Sequence, residues 1–395
     1  MNRQLGVIML ILMTIFLGFG VIIPIMPEVV VETGAKFHNA LLLSVYSAAS
    51  FLMSPLWGAI SDRIGRRPII MLGLLGFGAS FLIFGFADGH LWVMYASRIL
   101  GGLFSGAATA CAVAYVADIT TTENRTQGMG LVGMSIGLGF MFGPALGGLL
   151  SRWGVDLPFF VASGLAFAAF LFAFAVLPES LPAEKRTGKR ERSPSRWAAF
   201  AGSVKYLYLL SFFVTFTLAG LEATLQYYQM DKIGATPFDI GMMFLASGIV
   251  GALIQGGVVR RLVKKGAEQR VIAIGLILSA AGFFLLLFSS SVLTAAVYLS
   301  VFAAGNALIR PCATSLITQR TMVGQGVATG LNSSMDSLGR IAGPLLGGAV
   351  FAVHHALPFL FGGVLCLAAV LLLIRFARLD QQKNMQSAGN SLETA

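Results

Sequence analysis

Charge is scarce in this chain. Of its 395 residues only 11% are Asp, Glu, Lys or Arg, against roughly 25% in a soluble domain. That supply cannot cover the surface of a soluble globule, which excludes a cytosolic enzyme, a disordered chain and, despite a net charge of +10, a nucleic-acid-binding domain. Cysteine is scarce too. The three present (Cys111, Cys312, Cys366) lie in apolar stretches and read as free buried thiols, with no disulfide framework. The four histidines (His38, His90, His354, His355) sit near the ends of apolar runs without helical ligand spacing, so no metal site is expected. A Gly-x-x-x-x-Gly-Lys-Ser/Thr loop is also missing, so nothing points to ATP use. What abounds is apolar: 56% hydrophobic residues and a mean hydropathy of +0.82. Glycine, with 47 residues, is also in excess, as suits closely packed transmembrane helices. The composition is that of an all-α, polytopic membrane protein.

Twelve runs reach the ~20 residues that a membrane crossing needs: about 5–25, 40–60, 69–87, 91–117, 128–150, 157–177, 205–227, 238–259, 271–290, 292–317, 327–351 and 356–374. The first resembles a signal peptide in its flanking Arg3, but it lacks a small-residue cleavage site and runs into Pro24 and Pro27, so it counts as a span. With the N-terminus inside, 21 of the 27 basic residues fall in cytoplasmic segments, three in outer loops (Lys36, Arg152, Lys232) and three within spans (Arg98, Arg310, Arg340). That bias places both termini in the cytoplasm and explains the net charge as an orientation signal. The expected organisation is a first six-helix bundle (1–177), a basic cytoplasmic linker (178–204), a second bundle (205–377) and a polar, irregular cytoplasmic tail (378–395).

The bundles repeat. Gly139-x-x-x-Gly143-Pro144-x-x-Gly147-Gly148 in the fifth span returns 200 positions later as Gly339-x-x-x-Gly343-Pro344-x-x-Gly347-Gly348 in the eleventh. Glycines at i, i+4 and i+8 give one smooth face for close helix packing, and each proline removes a backbone hydrogen bond. Parallel repeats about an axis normal to the membrane belong to the major facilitator fold, with a substrate site between the halves.

The turn after the second span reads Gly58-Ala59-Ile60-Ser61-Asp62-Arg63-Ile64-Gly65-Arg66-Arg67-Pro68. A positive-inside loop explains its arginines but not the glycine spacing or Asp62. It resembles the signature loop of the major facilitator superfamily. The resemblance implies that Asp62 and Arg63 belong to a cytoplasmic latch with Asp118 as partner. The corresponding second-half loop (Arg260, Arg261, Lys264, Lys265) has no matching acid, so the latch is one-sided. The helix-5 pattern resembles that of family exporters and antiporters. Leu17-Gly18-Phe19-Gly20-Val21-Ile22-Ile23-Pro24 and Arg98-Ile-Leu-Gly-Gly102 resemble the helix-1 and helix-4 motifs of the twelve-helix drug/proton antiporters, of which the bacterial quinolone/multidrug exporters come nearest. By that resemblance the buried Arg98 is tied to proton coupling.

Ionisable groups within a bilayer cost at least ~2.5–3.5 kcal/mol by insertion scales and are functional candidates by default. Five lie in spans: Arg98, Glu222, Arg310, Asp336 and Arg340. Asp336 and Arg340 stand at i, i+4, where they can neutralise each other. Glu222 has no basic residue within a turn, so it must be protonated, paired across helices or facing water. The resemblance implies an acid at this place in helix 7. It also implies a second acid three residues before the helix-10 Arg310-Pro311, where this chain has Ala307; either Asp336 replaces it or coupling rests on Glu222 alone. Phe216, beside the Glu222 turn, and the polar Gln226, Gln255, Asn306 and Asn332 are candidate cavity lining. The expected function is drug/proton antiport of hydrophobic or cationic compounds from the cell membrane, by a monomer driven by the proton gradient without a cofactor. The alternative is an exporter narrow in substrate, for one antibiotic or a metabolite such as a sugar or amino acid.

Overall fold

A computed structural model of the chain describes residues 3–31, 37–120, 125–181, 186, 202–255, 267–320 and 325–393. These residues hold thirteen α-helices and no strand. In order they are α1 (Arg3–Val21), α2 (Met26–Val31), α3 (Phe37–Ile64), α4 (Arg66–Gly85), α5 (Leu91–Ile119), α6 (Arg125–Leu150), α7 (Leu157–Val176), α8 (Val204–Ile233), α9 (Pro237–Leu253), α10 (Glu268–Leu286), α11 (Val292–Arg320), α12 (Gln325–Val353) and α13 (Leu357–Glu393). Each of the twelve apolar runs coincides with one of them, and α2 is a short addition. Ten are long and apolar enough to cross a bilayer. The other two are α9, with 17 residues, and α12, which carries Asn332, Ser333, Ser334, Asp336, Ser337 and Arg340.

Local chemistry sets the ends. Thr236 accepts the Asp239 backbone N–H and Asp239 accepts that of Thr236, a reciprocal cap that starts α9 with Pro237 in its first turn. Gly234, at φ 65°, ends α8 in the left-handed conformation that glycine adopts without strain. One expectation fails: α13 continues to Glu393, so the polar tail after Asp380 is helical. Its sequence has no proline and a single glycine, and Arg320 of α11 holds Asp380 at 2.9 Å, anchoring the helix where the apolar stretch ends.

In each half the glycine motif packs against the first helix of that half. A Cβ on Gly143 of α6 would lie 2.6 Å from the Leu17 carbonyl oxygen and 2.9 Å from Gly20 Cα of α1. A Cβ on Gly343 of α12 would strike the Phe216 carbonyl and lie 3.0 Å from Gly220 N of α8. The halves have separate apolar cores, around Phe77, Phe81 and Ala108 in the first and around Leu207, Ile272 and Ile309, and again Leu225, Phe283 and Phe302, in the second.

The halves meet along two seams, α6 with α9 and α3 with α12. At the first, Gly148 abuts Pro237 and Phe238, the Arg152 guanidinium lies over the Phe238 ring at 3.4 Å, and Met141 packs on Gly248. Beyond Met141, toward the arginine-rich turns, a Cβ on Gly137, Gly133 or Gly130 of α6 would meet no described atom within 4 Å, and Leu253, the last residue of α9, and Gln255 just after it are exposed. Among the described residues the bundle is thus closed at the arginine-poor end and parted at the other.

Candidate functional site

The charged residues within the spans do not pair as their spacing in the sequence suggested. Asp336 and Arg340 of α12, expected to neutralise each other, turn to different helices. Arg340 Nη1 lies 3.8 Å from Glu222 Oε2 of α8. Asp336 Oδ2 lies 3.5 Å from Arg310 Nη2 of α11, and its Oδ1 accepts the Thr215 hydroxyl at 2.7 Å. The cause is the glycine seam: Gly339, Gly343 and Gly347 let α12 approach the α8 backbone between Phe212 and Gly220 so closely that side chains of the two helices meet first. Glu222 is thereby in the second of the three states open to it, paired across helices.

Across from these charges stands an aromatic wall from the first half. The Arg340 guanidinium is 4.7 Å from the Phe140 ring of α6 and 5.9 Å from Phe19 of α1. Phe140 touches Phe16 at 5.2 Å, and Phe19 touches Tyr46 of α3 at 5.3 Å. None of Phe16, Phe19, Tyr46 and Phe140 was singled out as cavity lining, because aromatic residues are common in any membrane helix. The repeat held the missing signal: Phe140 lies 200 positions before Arg340, so the duplication sets both against the pseudo-twofold axis.

The remaining candidates scatter. Arg98 is buried to 1% exposure, with its guanidinium 4.5 Å from Phe84, 4.8 Å from Phe81 and 5.9 Å from Tyr46, a cation held by ring faces. Tyr46 thus links it to the Phe19 side of the wall. Gln226 is fully buried one turn beyond Glu222. Phe216 stacks on Phe212 at 5.8 Å. Asn306 is buried in α11, and Gln255 is exposed at the end of α9, so neither joins the charged cluster through a described contact. Asn332 lines a small open cleft with Ser211, Arg310, Thr314 and Asp336, beside the second ion pair.

At the arginine-rich end the latch is built on Arg66 rather than Arg63. Arg66 Nη1 pairs with Asp62 at 2.6 Å and its Nε with Asp118 at 3.1 Å, while Arg63 is exposed. The break at Gly65 explains the exchange: the chain turns between α3 and α4 there, and Arg66 at the start of α4 is left in reach of both Asp62 and Asp118, whereas Arg63 is exposed. Glu179, not foreseen, completes it, accepting the backbone N–H groups of Arg66 and Arg67 at 2.8 and 3.1 Å and so capping α4. Gly65 has φ 114° and faces the Glu179 carboxylate, so a side chain there would be both strained and obstructed. Arg67 donates to the Phe174 carbonyl, and the Cβ position of Gly58 is open. The matching second-half loop lies outside the described residues.

A family model described as the Major Facilitator Superfamily matches residues 8–321 and 207–393. Multidrug resistance protein 2 of Bacillus subtilis (strain 168) is 35% identical over 374 residues, covering 92% of this chain and 93% of that protein. Quinolone resistance protein NorA of Staphylococcus aureus (strain Mu50) is 30% identical over 382 residues, covering 95% and 96%. The human organic anion transporter MFSD10 (TETRAN) has a similar crystal structure, with TM-score 0.72 and 27% identity, covering 94% of this chain and 99% of that one. Duplicated bundles, a glycine seam in each half, the Asp62–Arg66–Asp118 turn and these matches agree: the chain is a multi-pass membrane transporter and belongs to the Major Facilitator Superfamily.

Proposed function

We propose that the protein is a proton-coupled exporter of hydrophobic, often cationic compounds, working by alternating access from the cell membrane with both termini in the cytoplasm. One observation carries this reading: Glu222, 8% exposed and joined to Arg340 by a long cross-helix contact, lies where that contact faces the aromatic wall of the other half. A flat cation fits such a place, with rings to stack on and the Glu222 carboxylate, on which it replaces Arg340 as partner. The resistance relatives support efflux as the direction.

The cycle follows from the charge. With the arginine-rich end parted, a compound from the cytoplasm or inner leaflet reaches Glu222 and displaces its proton inward. The halves rock about the α6–α9 and α3–α12 seams. A proton from outside then binds the carboxylate, weakens its hold on the compound and resets the carrier. A proton-motive force of ~150 mV corresponds to about 3.5 kcal/mol per proton, so one proton can sustain a gradient of a few hundredfold. Asp336, held by Arg310 and Thr215, is the second coupling candidate, and Arg98 a positioning group behind Tyr46. Everted vesicles with a fluorescent cationic dye test the reading. Uncoupler-sensitive efflux is expected from the wild type and none from Glu222→Gln; unchanged efflux in the variant removes the coupling role. If no dye moves but one antibiotic, sugar or amino acid does, the narrow exporter replaces the multidrug one.

A further inference from the structure

The helix turns that carry Glu222 and Arg340 are each held from the opposite half of the molecule, and by the same helix. Asn39 of α3 donates from Nδ2 to the carbonyl oxygen of Ala223, the residue after Glu222, at 3.2 Å. Ser44 of α3 donates from Oγ to the carbonyl oxygen of Ile341, the residue after Arg340, at 2.9 Å. Both donors are sealed, at 0% and 2% exposure. Gln226, four residues beyond Glu222, donates to the same Ala223 oxygen at 3.3 Å. The amide oxygens of Asn39 and Gln226 are buried with no hydrogen-bond partner among the described residues. Unpaired buried acceptors are costly, so the arrangement holds two oxygens in want of a donor beside the one buried carboxylate of α8.

We infer that Asn39, Ser44 and Gln226 form a clamp that holds the arginine-poor end of the bundle shut while Glu222 is ionised and paired with Arg340, and lets go when Glu222 is neutralised. The inference rests on the proton-coupled export proposed above and adds the rule that makes such exchange tight: an empty, ionised carrier must not rock. With the pair intact, α8 and α12 are drawn together and both carbonyls stay in register with α3. When a proton binds Glu222, the carboxylate charge is lost, Arg340 is released, and the new O–H becomes a donor. Gln226, at i+4 on the same helix face, offers its free amide oxygen as acceptor, and turning toward it takes Gln226 off the Ala223 carbonyl. A bound organic cation acts on the pair in the same way, by replacing Arg340 as partner. The charged and titratable groups around Glu222 are Arg340 of α12, Arg310 of α11, itself held by Asp336, and Tyr46 of α3 behind Arg340. At this depth α9 and α13 bring no charged side chain: Asp239 lies in the first turn of α9, and Arg375 is the first charged residue of α13.

The test uses the full chain in nanodiscs, with Cys111, Cys312 and Cys366 replaced by serine and spin labels on cysteines at the exposed outer-loop positions Asp88 and Ser290. The parent should show the short distance at pH 8.5 and gain a longer one at pH 5.5. In Asn39→Ala/Ser44→Ala the long-to-short ratio at pH 8.5 should rise roughly tenfold, the effect of two neutral hydrogen bonds. Its pH dependence should flatten, while Asn39→Gln/Ser44→Thr stays near the parent. In proteoliposomes the Ala variant should leak protons without a dye while the KM for ethidium is unchanged, a split that a merely weakened fold does not produce. Parental distances at both pH values and a parental leak overturn the clamp. Should the double variant not fold, Ser44→Ala alone decides by the same two readouts. Glu222→Gln separates the two claims. If it keeps coupled efflux, the export reading falls; if it abolishes efflux while the clamp variants behave as the parent, only the clamp falls.

Discussion

Residues 200 positions apart in the two halves share a backbone environment and differ in chemistry. Gly20 meets Gly143 in the first half as Gly220 meets Gly343 in the second, and the same glycine face seats α6 on α1 and α12 on α8. On that common frame the first half carries Ile22, Ile136 and Phe140 where the second carries Glu222, Asp336 and Arg340. One half is an aromatic wall and the other a charged one, and they face each other through Phe140 and Arg340 at 4.7 Å. On one symmetric scaffold the two copies thus differ in the side chains they turn toward each other, rings from the first half and charges from the second. At the arginine-rich end of the first half Arg66 joins Asp62 and Asp118, and Glu179 caps α4.

The comparison breaks most severely at Glu222. Glu222→Gln makes the second half as neutral there as Ile22 makes the first, and should collapse a dye gradient of a few hundredfold to none, read as uncoupler-sensitive efflux in everted vesicles. Next come the glycines. Gly143→Val and Gly343→Val press a branched side chain into backbone, which typically costs 1–3 kcal/mol or more. Both should lower the thermal midpoint in detergent by a similar amount, because the packing is the same in each half. A drop in one alone would show that the seams are unequal.

Phe140→Ala should weaken binding of a flat cationic dye by a few fold, about 0.5–1.5 kcal/mol for a lost aromatic contact. Proton coupling should be unaffected. A change in the pH profile instead, with dye affinity intact, would move Phe140 from the gripping wall to the charged one. The smallest effect belongs to the arginine-rich end. Glu179→Gln keeps acceptor oxygen but loses charge at the α4 N-terminus, and should cost about 0.3–1 kcal/mol, seen as a modest fall in turnover at unchanged KM for dye.

Much of the architecture was legible in the residues. Apolar runs of the right length gave all twelve helices, and the glycine repeat at an offset of 200 marked two equivalent bundles, because both signals are local and periodic. Glu222 stood out because a lone carboxylate in an apolar run is costly wherever it ends up. The ion-pair partners were not legible. Asp336 and Arg340 are neighbours on one helix, yet each pairs with another helix, since close backbone approach at Gly339, Gly343 and Gly347 puts foreign side chains nearer than the next turn. Arg63 and Arg66 could not be ranked until the course of the turn at Gly65 was known. The helical course of the tail depends on its continuity with the membrane helix and on Arg320 holding Asp380, a contact across 60 residues.

By itself, then, the sequence determined that the chain lives in a membrane, that it is doubled, and that a few charges lie within its spans. Hydropathy, periodicity and the cost of a charge in hydrocarbon act on every residue alone and need no partner to be read. Only the tertiary structure decided which charge meets which, that an aromatic wall confronts them, and that Asn39 and Ser44 reach across to the turns of Glu222 and Arg340. Those facts depend on which helix faces lie within a few ångströms of each other, and side-chain attraction at that range is set by packing in three dimensions rather than by order along the chain.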